Sequence, residues 1–115
     1  MSDDETIDEA RDELNYQIAE KHGLETVWSI DGADFDSVPF PDAKRLRYWC
    51  YSFFIDGKPS EERREFAVDL QPRATYLDLW KATDSLAKQS GDKHHRYIED
   101  FTDEGDGTLT VFLGS

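Results

Sequence analysis

LRYWCYSFFID, residues Leu46–Asp56, is the stretch that decides the fold expected for this chain. It is rich in aromatic residues, which favour extended strands. It ends in the sequence DGKP, residues 56–59, which is a turn signal. The segment Glu62–Leu70 follows and is expected to return beside it as an antiparallel partner. The two segments therefore predict a β-hairpin at the centre of the fold.

The register of this hairpin decides which side chains face outward. With a turn centred between Lys58 and Pro59, Trp49 would lie opposite Val68 on the core face. The reverse face would then present Tyr48, Phe54 and Arg63, with Phe54 directly opposite Arg63. Aromatic residues and arginine commonly anchor interfaces. We therefore expect Tyr48, Phe54 and Arg63 to contact a protein partner or a second copy of the chain. A slip of one residue would exchange the two faces.

The flanking elements complete an α+β pattern. Helical periodicity predicts helices over about residues 3–22 and 76–89. Thr75-x-x-Asp78 is a capping box for the second helix, which Ser90-Gly91 should end. Asp92 can cap a shorter third helix reaching about Phe101, with Ile98 and Phe101 facing the core. Strand-like segments are Leu24–Ile30 before the hairpin and Thr108–Gly114 after the helices. The order αβββααβ predicts one domain over residues 1–115. It should hold a mostly antiparallel sheet of about four strands, with two or three helices packed on one face.

The charge of the chain is strongly negative. It has 115 residues with 26 Asp and Glu against 13 Lys and Arg, a net charge of -13. Carboxylates occur in every segment, aspartate outnumbers glutamate and lysine is scarce. This composition resembles that of cytoplasmic proteins from salt-accumulating halophiles, in which molar salt screens the self-repulsion. No apolar run reaches the ~20 residues that span a bilayer, and the acidic N-terminal segment is unlike a signal peptide. A cytoplasmic protein without membrane contact is expected.

A histidine pair offers an alternative site. In the segment GDKHHRYIEDF, residues 91–101, His94 and His95 are adjacent, and adjacent helical positions point about 100° apart. They could not both face one metal ion, whereas His95 and Glu99 have helical spacing. A small-ligand site or an enzyme using His94, His95 and Glu99 is the second hypothesis. The favoured interpretation is a partly buried His94 and a His95 at the rim.

The other features of the sequence point away from a disulfide, catalysis, cofactor binding and direct nucleic-acid binding. The single Cys50 excludes an internal disulfide, and its mid-strand position is typical of an inert thiol. The chain contains no P-loop, GxSxG, GxGxxG or HExxH pattern, so no cofactor is expected and catalysis is not favoured. Direct nucleic-acid binding is not expected at this charge, because phosphate contacts dominate that affinity. A third hypothesis is an acidic mimic of nucleic acid that blocks a basic protein.

Overall fold

Two helices form where the sequence predicts them. The computed structural model describes residues 3–30, 34–50, 53–55, 58–60, 64–91 and 95–114. Helix α1 spans Asp3–His22 and ends at Gly23, which has φ +66°. Helix α2 spans Tyr76–Ser90 and ends at Gly91 with φ +71°. Both glycines adopt the left-handed conformation that ends many helices, because they lack a Cβ.

The first turn of α2 is held by a capping box. The Thr75 hydroxyl accepts from the backbone N–H of Asp78 at 3.2 Å, and the Asp78 carboxylate accepts from the backbone N–H of Thr75 at 3.0 Å. Two donors that the helix cannot satisfy itself are thereby paired. This confirms the capping signal in the sequence.

The strands form a five-stranded mixed sheet and a separate two-stranded sheet. The strands are β1 Val27–Trp28, β2 Arg45–Cys50, β3 Phe53–Ile55, β4 Lys58–Ser60, β5 Arg64–Asp69, β6 Tyr97–Asp103 and β7 Thr108–Gly114. The large sheet has the order β1-β6-β7-β2-β5, and within the described residues β3 pairs with β4 alone. Pairs β2/β5 and β6/β7 are antiparallel, whereas β1/β6 and β2/β7 are parallel. The chain is thus one compact α+β domain, with a sheet less antiparallel than expected.

The predicted third helix is wrong, because residues 97–103 form strand β6. Ile98 and Phe101 are three residues apart, which imitates the helical period. In the structure a β-bulge at Glu99 inserts one extra residue between them, so that both point to the same side of the sheet. They are buried as expected, at 0% and 7% exposure, but on a strand. Asp92, the expected cap, lies outside the described residues.

The expected hairpin register is also wrong. Trp49 pairs with Glu65 and Tyr48 with Phe66, where Trp49 was expected opposite Val68. The shift is three residues. Ile55 pairs with Lys58, which centres the hairpin two positions earlier than expected, and two residues separate β2 from β3 where three separate β4 from β5. An odd shift turns each β2 side chain to the other face. Tyr48 is therefore in the core with 4% exposure, and its expected outward position is corrected.

An aromatic cluster joins the helices to the sheet. The Trp28 ring lies 5.2 Å from Phe35, 5.6 Å from Tyr76, 5.7 Å from Trp80 and 5.8 Å from Phe101, measured between centroids. Such offset and edge-on contacts add to the burial of large apolar areas. Phe35 belongs to the long connection before β2, so the cluster pins that connection to the core as the sequence suggests. Helix α2 packs over β2 and β5, whereas α1 lies along β1, where the Asn15 amide donates to the Trp28 carbonyl oxygen.

Candidate interaction surface

The face of the large sheet opposite the core, here called the outer face, carries the candidate surface. Strand alternation assigns residues to it by their register with the buried positions. Its members are Val27, Arg45, Arg47, Trp49, Glu65, Ala67, Asp69, Tyr97, Asp100, Thr102, Thr108, Thr110 and Phe112. Leu46, Tyr48, Leu109 and Val111 point the other way and are buried. The outer face is therefore a continuous surface built from all five strands.

Apolar side chains on this face remain open to solvent. Phe112 is 51% exposed, Tyr97 is 46% exposed and Val27 is 43% exposed. Trp49 is half-buried. The residues that precede Trp49 and Phe112, namely Tyr48 and Val111, are paired in the parallel strands β2 and β7. Trp49 and Phe112 are thus neighbours across β2 and β7. Scattered single apolar residues are ordinary on a surface, whereas a contiguous set marks a contact site.

Charged side chains on the β2 and β5 side of the face balance one another. The Arg45 guanidinium lies 2.8 Å from the Glu65 carboxylate. The Arg47 guanidinium lies 3.6 Å from Glu104 and 3.8 Å from Glu65. We call Arg45, Arg47, Glu65 and Glu104 the charge cluster. Two cations and two anions meet here, in a chain that otherwise carries two acids for each base.

Arg47 also connects the charge cluster to the aromatic residues. Its guanidinium carbon lies 5.1 Å from the Trp49 ring centroid, a distance at which cation–π attraction operates. It donates to the Thr110 hydroxyl at 3.1 Å, and that hydroxyl donates to Glu104 at 2.7 Å. The Arg47 Nε is buried and has no acceptor within the described part of the chain. The cation–π contact restrains the orientation of Trp49 on the outer face.

A shallow hollow of about 280 Å³ lies at one side of this face, between Trp49, His95, Glu104 and Phe112. His95 reaches it from the segment before β6. Glu99 is not among the residues around the hollow, and its carboxylate instead lies over Gly114, where an added Cβ would come within 2.0 Å of Oε1. His94 lies outside the described residues. Of the predicted ligand residues, only His95 is therefore placed beside a cavity.

The predicted interface residues have separate outcomes. Tyr48 is buried, as described above. The backbone of Phe54 belongs to β3, while its side chain and the whole of Arg63 lie outside the described part of the chain. Trp49 and Phe112 face outward instead, although the sequence interpretation did not place them on this face. Alternation within TLTVFLG, residues 108–114, could have identified Phe112, because it has the opposite parity to Leu109 and Val111.

A buried carboxylate, Asp84 on α2, organises the opposite side of the domain. Its Oδ1 accepts from the backbone N–H of Glu25 at 2.7 Å, from that of Thr26 at 2.8 Å and from the Thr26 hydroxyl at 2.9 Å. Its Oδ2 lies 3.0 Å from the Lys88 ammonium. The Trp80 indole N–H donates to the same Thr26 hydroxyl at 3.0 Å. We call Asp84, Thr26, Trp80 and Lys88 the Asp84 cluster.

The ionisation of Asp84 follows from these contacts. Burial raises its pKa, but the donors, first the Thr26 N–H and then Lys88, the Thr26 hydroxyl and the Glu25 N–H, together lower it below the usual aspartate value. The anion is therefore fully paired. It ties the segment between α1 and β1 to α2, which is a structural role. A hollow of about 150 Å³ lies beside it, lined also by Thr26, Lys88 and Arg96.

Comparisons with known proteins add no constraint on function: no known protein family, curated protein or solved structure matches the chain. Within the described ranges, no three His, Cys, Asp or Glu side chains converge as metal ligands would. Among the helices of those ranges, none is both long and apolar enough to cross a membrane. The outer face is therefore identified as the candidate functional surface from its geometry alone.

Proposed function

We propose that this chain is a non-catalytic module that binds protein through the outer face of its sheet. The observation that carries the proposal is the half-exposed Phe112 beside Trp49, with Trp49 held by the Arg47 guanidinium. Aromatic residues and arginine dominate the energy of protein interfaces. Their combination with balanced charges fits a contact surface better than it fits a solvated face.

Three features favour this over an acidic mimic of nucleic acid. A mimic needs unpaired carboxylates in a regular row, whereas Glu65 and Glu104 on this face are engaged with arginines. Asp84 is buried and paired. The exposed aromatic residues also have no counterpart on a phosphate backbone.

The setting that we propose is a salt-rich cytoplasm, which the composition supports. At ~1 M salt the Debye length is about 3 Å, so exposed charges separated by more than one side chain scarcely interact. Apolar burial is not weakened by such screening. An interface centred on aromatic residues therefore suits that medium better than one centred on exposed ion pairs.

Site-specific photo-crosslinking in the native host tests the proposal. A photoreactive amino acid, p-benzoylphenylalanine, replaces Phe112 in one variant and Ser85 in the control. Ser85 is exposed on α2, away from the outer face. We expect discrete protein adducts from position 112 and none from position 85, identified by mass spectrometry. Equal adduct patterns from both positions, or no protein adduct from position 112, would overturn the proposal.

A further inference from the structure

We infer that the partner of the outer face is a second copy of this chain, bound face to face about a two-fold axis. This inference rests on the proposed function and names its partner. In such an isologous contact the same patch is used twice, so that each residue of the patch must suit its own copy. The outer face meets that requirement in shape, in charge and in polarity.

The charge cluster makes self-contact possible. Two chains of net charge -13 repel each other over most of their surfaces. On the β2 and β5 side of the outer face, however, Arg45 and Arg47 stand beside Glu65 and Glu104, two groups of each sign. Asp69 and Asp100 lie on the same face outside this cluster. A second copy brings the same four groups, so an arginine of either copy can meet a glutamate of the other. A strongly basic partner would gain little from this balanced patch and more from the acidic remainder of the surface.

The apolar residues supply the attraction. Phe112, Tyr97 and Val27 are about half exposed, and Trp49 adjoins Phe112. Facing sheets pack about 10 Å apart with their side chains interdigitating. Contact between two copies would remove these residues from water while leaving α2 on the far side of each sheet undisturbed.

The size of the face sets the expected strength. The five strands hold 28 residues in all, and at about 4.8 Å between strands and about 3.3 Å per residue they cover roughly 440 Å² per copy. A pair of faces then buries roughly 900 Å², below the standard size of specific interfaces. We therefore expect a weak dimer in concentration-dependent exchange with monomer.

The salt dependence separates this partner from others. Salt screens the repulsion between two acidic copies, so self-association should strengthen from about 0.1 M to about 2 M KCl. Binding to a basic protein would weaken over the same range, because its attraction depends on unscreened charge. Whether association strengthens or weakens with added salt thus distinguishes a second copy of the chain from a basic protein.

Sedimentation equilibrium of the purified full chain tests the inference. Phe112→Lys introduces a charge at the centre of the apolar set, whereas Ser85→Lys is the matched control, at an exposed serine of α2 on the far side of the sheet. We expect wild type and the control to dimerise in molar KCl with similar constants, and the Phe112→Lys dissociation constant to rise at least about tenfold. Near-ultraviolet circular dichroism confirms that both variants are folded, and Phe112→Ser gives a second, uncharged test.

The position of Trp49 gives an independent readout. Trp28 and Trp80 are buried at 3% and 1% exposure, so Trp49 is the tryptophan that acrylamide can reach most readily. Dimerisation in molar KCl should reduce acrylamide quenching as the protein concentration rises, and Phe112→Lys should abolish that reduction.

Three outcomes overturn the inference: a strict monomer throughout, association that weakens with salt, or equal losses in Phe112→Lys and Ser85→Lys. A monomer whose position 112 still crosslinks to a different protein in the host refutes the second copy but leaves the proposed function standing. A monomer with no such adduct refutes both.

Discussion

Removing the carboxylate of Asp84 should destabilise the domain more than any exposed substitution. In Asp84→Ala, the backbone N–H groups of Glu25 and Thr26 lose the acceptor that lies 2.7 and 2.8 Å away. An unsatisfied buried donor costs about 1–3 kcal/mol, and the buried Thr26 N–H and the part-buried Glu25 N–H both lose their acceptor. We expect a loss of about 2–4 kcal/mol from a domain stability of about 5–15 kcal/mol.

The assay is urea unfolding at constant molar KCl and neutral pH, followed by tryptophan fluorescence. Trp80 is a suitable reporter because its indole N–H donates to the Thr26 hydroxyl within the Asp84 cluster. Lys88→Met is the matched control. The Lys88 side chain is half exposed, so its loss should change the free energy of unfolding much less than Asp84→Ala. A loss below about 1 kcal/mol in Asp84→Ala would refute the assignment of Asp84 as a buried tie.

The same carboxylate predicts a pH dependence with a defined sign. Because the pKa of Asp84 is lowered in the folded state, its stabilising contribution is fully present above the unfolded value of about 3.9. That contribution is lost as the pH falls through the lower folded pKa. Asp84→Asn cannot titrate, so the difference in unfolding free energy between wild type and Asp84→Asn should narrow from about pH 5 to pH 2. A constant difference over this range would contradict the ionised, paired state.

Three further predictions concern single residues. Thr75→Ala removes one half of the capping box and should cost about 1 kcal/mol in urea unfolding, whereas Ser85→Ala on the exposed side of α2 should cost little. Gly91→Ala places a Cβ at φ +71° and should cost about 1–2 kcal/mol; an unchanged midpoint would show that the left-handed end is not required. The Cys50 thiol, fully buried, should react with Ellman's reagent only on unfolding, and rapid labelling of the native protein would contradict its burial.

Local signals account for the parts of the fold that the sequence predicts well. The capping box at Thr75, the glycine at 91 and the alternation in Thr108–Gly114 act over a few residues, and each reappears in the structure. The neighbours of β7 could not be predicted in this way. Its parallel pairing with β2 joins residues 63 positions apart, as between Arg47 and Thr110, and no local pattern encodes such a choice.

The sequence predicts only part of the candidate surface, for a related reason. An aromatic sheet face is visible in LRYWCYSFFID, but which alternate residues form it depends on register. Three residues separate β4 from β5 where two separate β2 from β3, and this one-residue difference exchanges Tyr48 for Trp49 on the outside. The bulge at Glu99 likewise gives Ile98 and Phe101 a spacing that imitates a helix. In both places one extra or missing residue in a ladder decides the outcome.

The insertion of β7 between β6 and β2 has a consequence for synthesis. While the ribosome is still producing residues 70–107, β2 can pair with β5 but its other edge has no strand to bind. That edge belongs to an aromatic-rich segment, and unpaired edges of this kind readily join other chains. Because β7 joins β6 through a short turn but meets β2 across 63 positions of sequence, β2 keeps one edge unpaired until β7 has been synthesised.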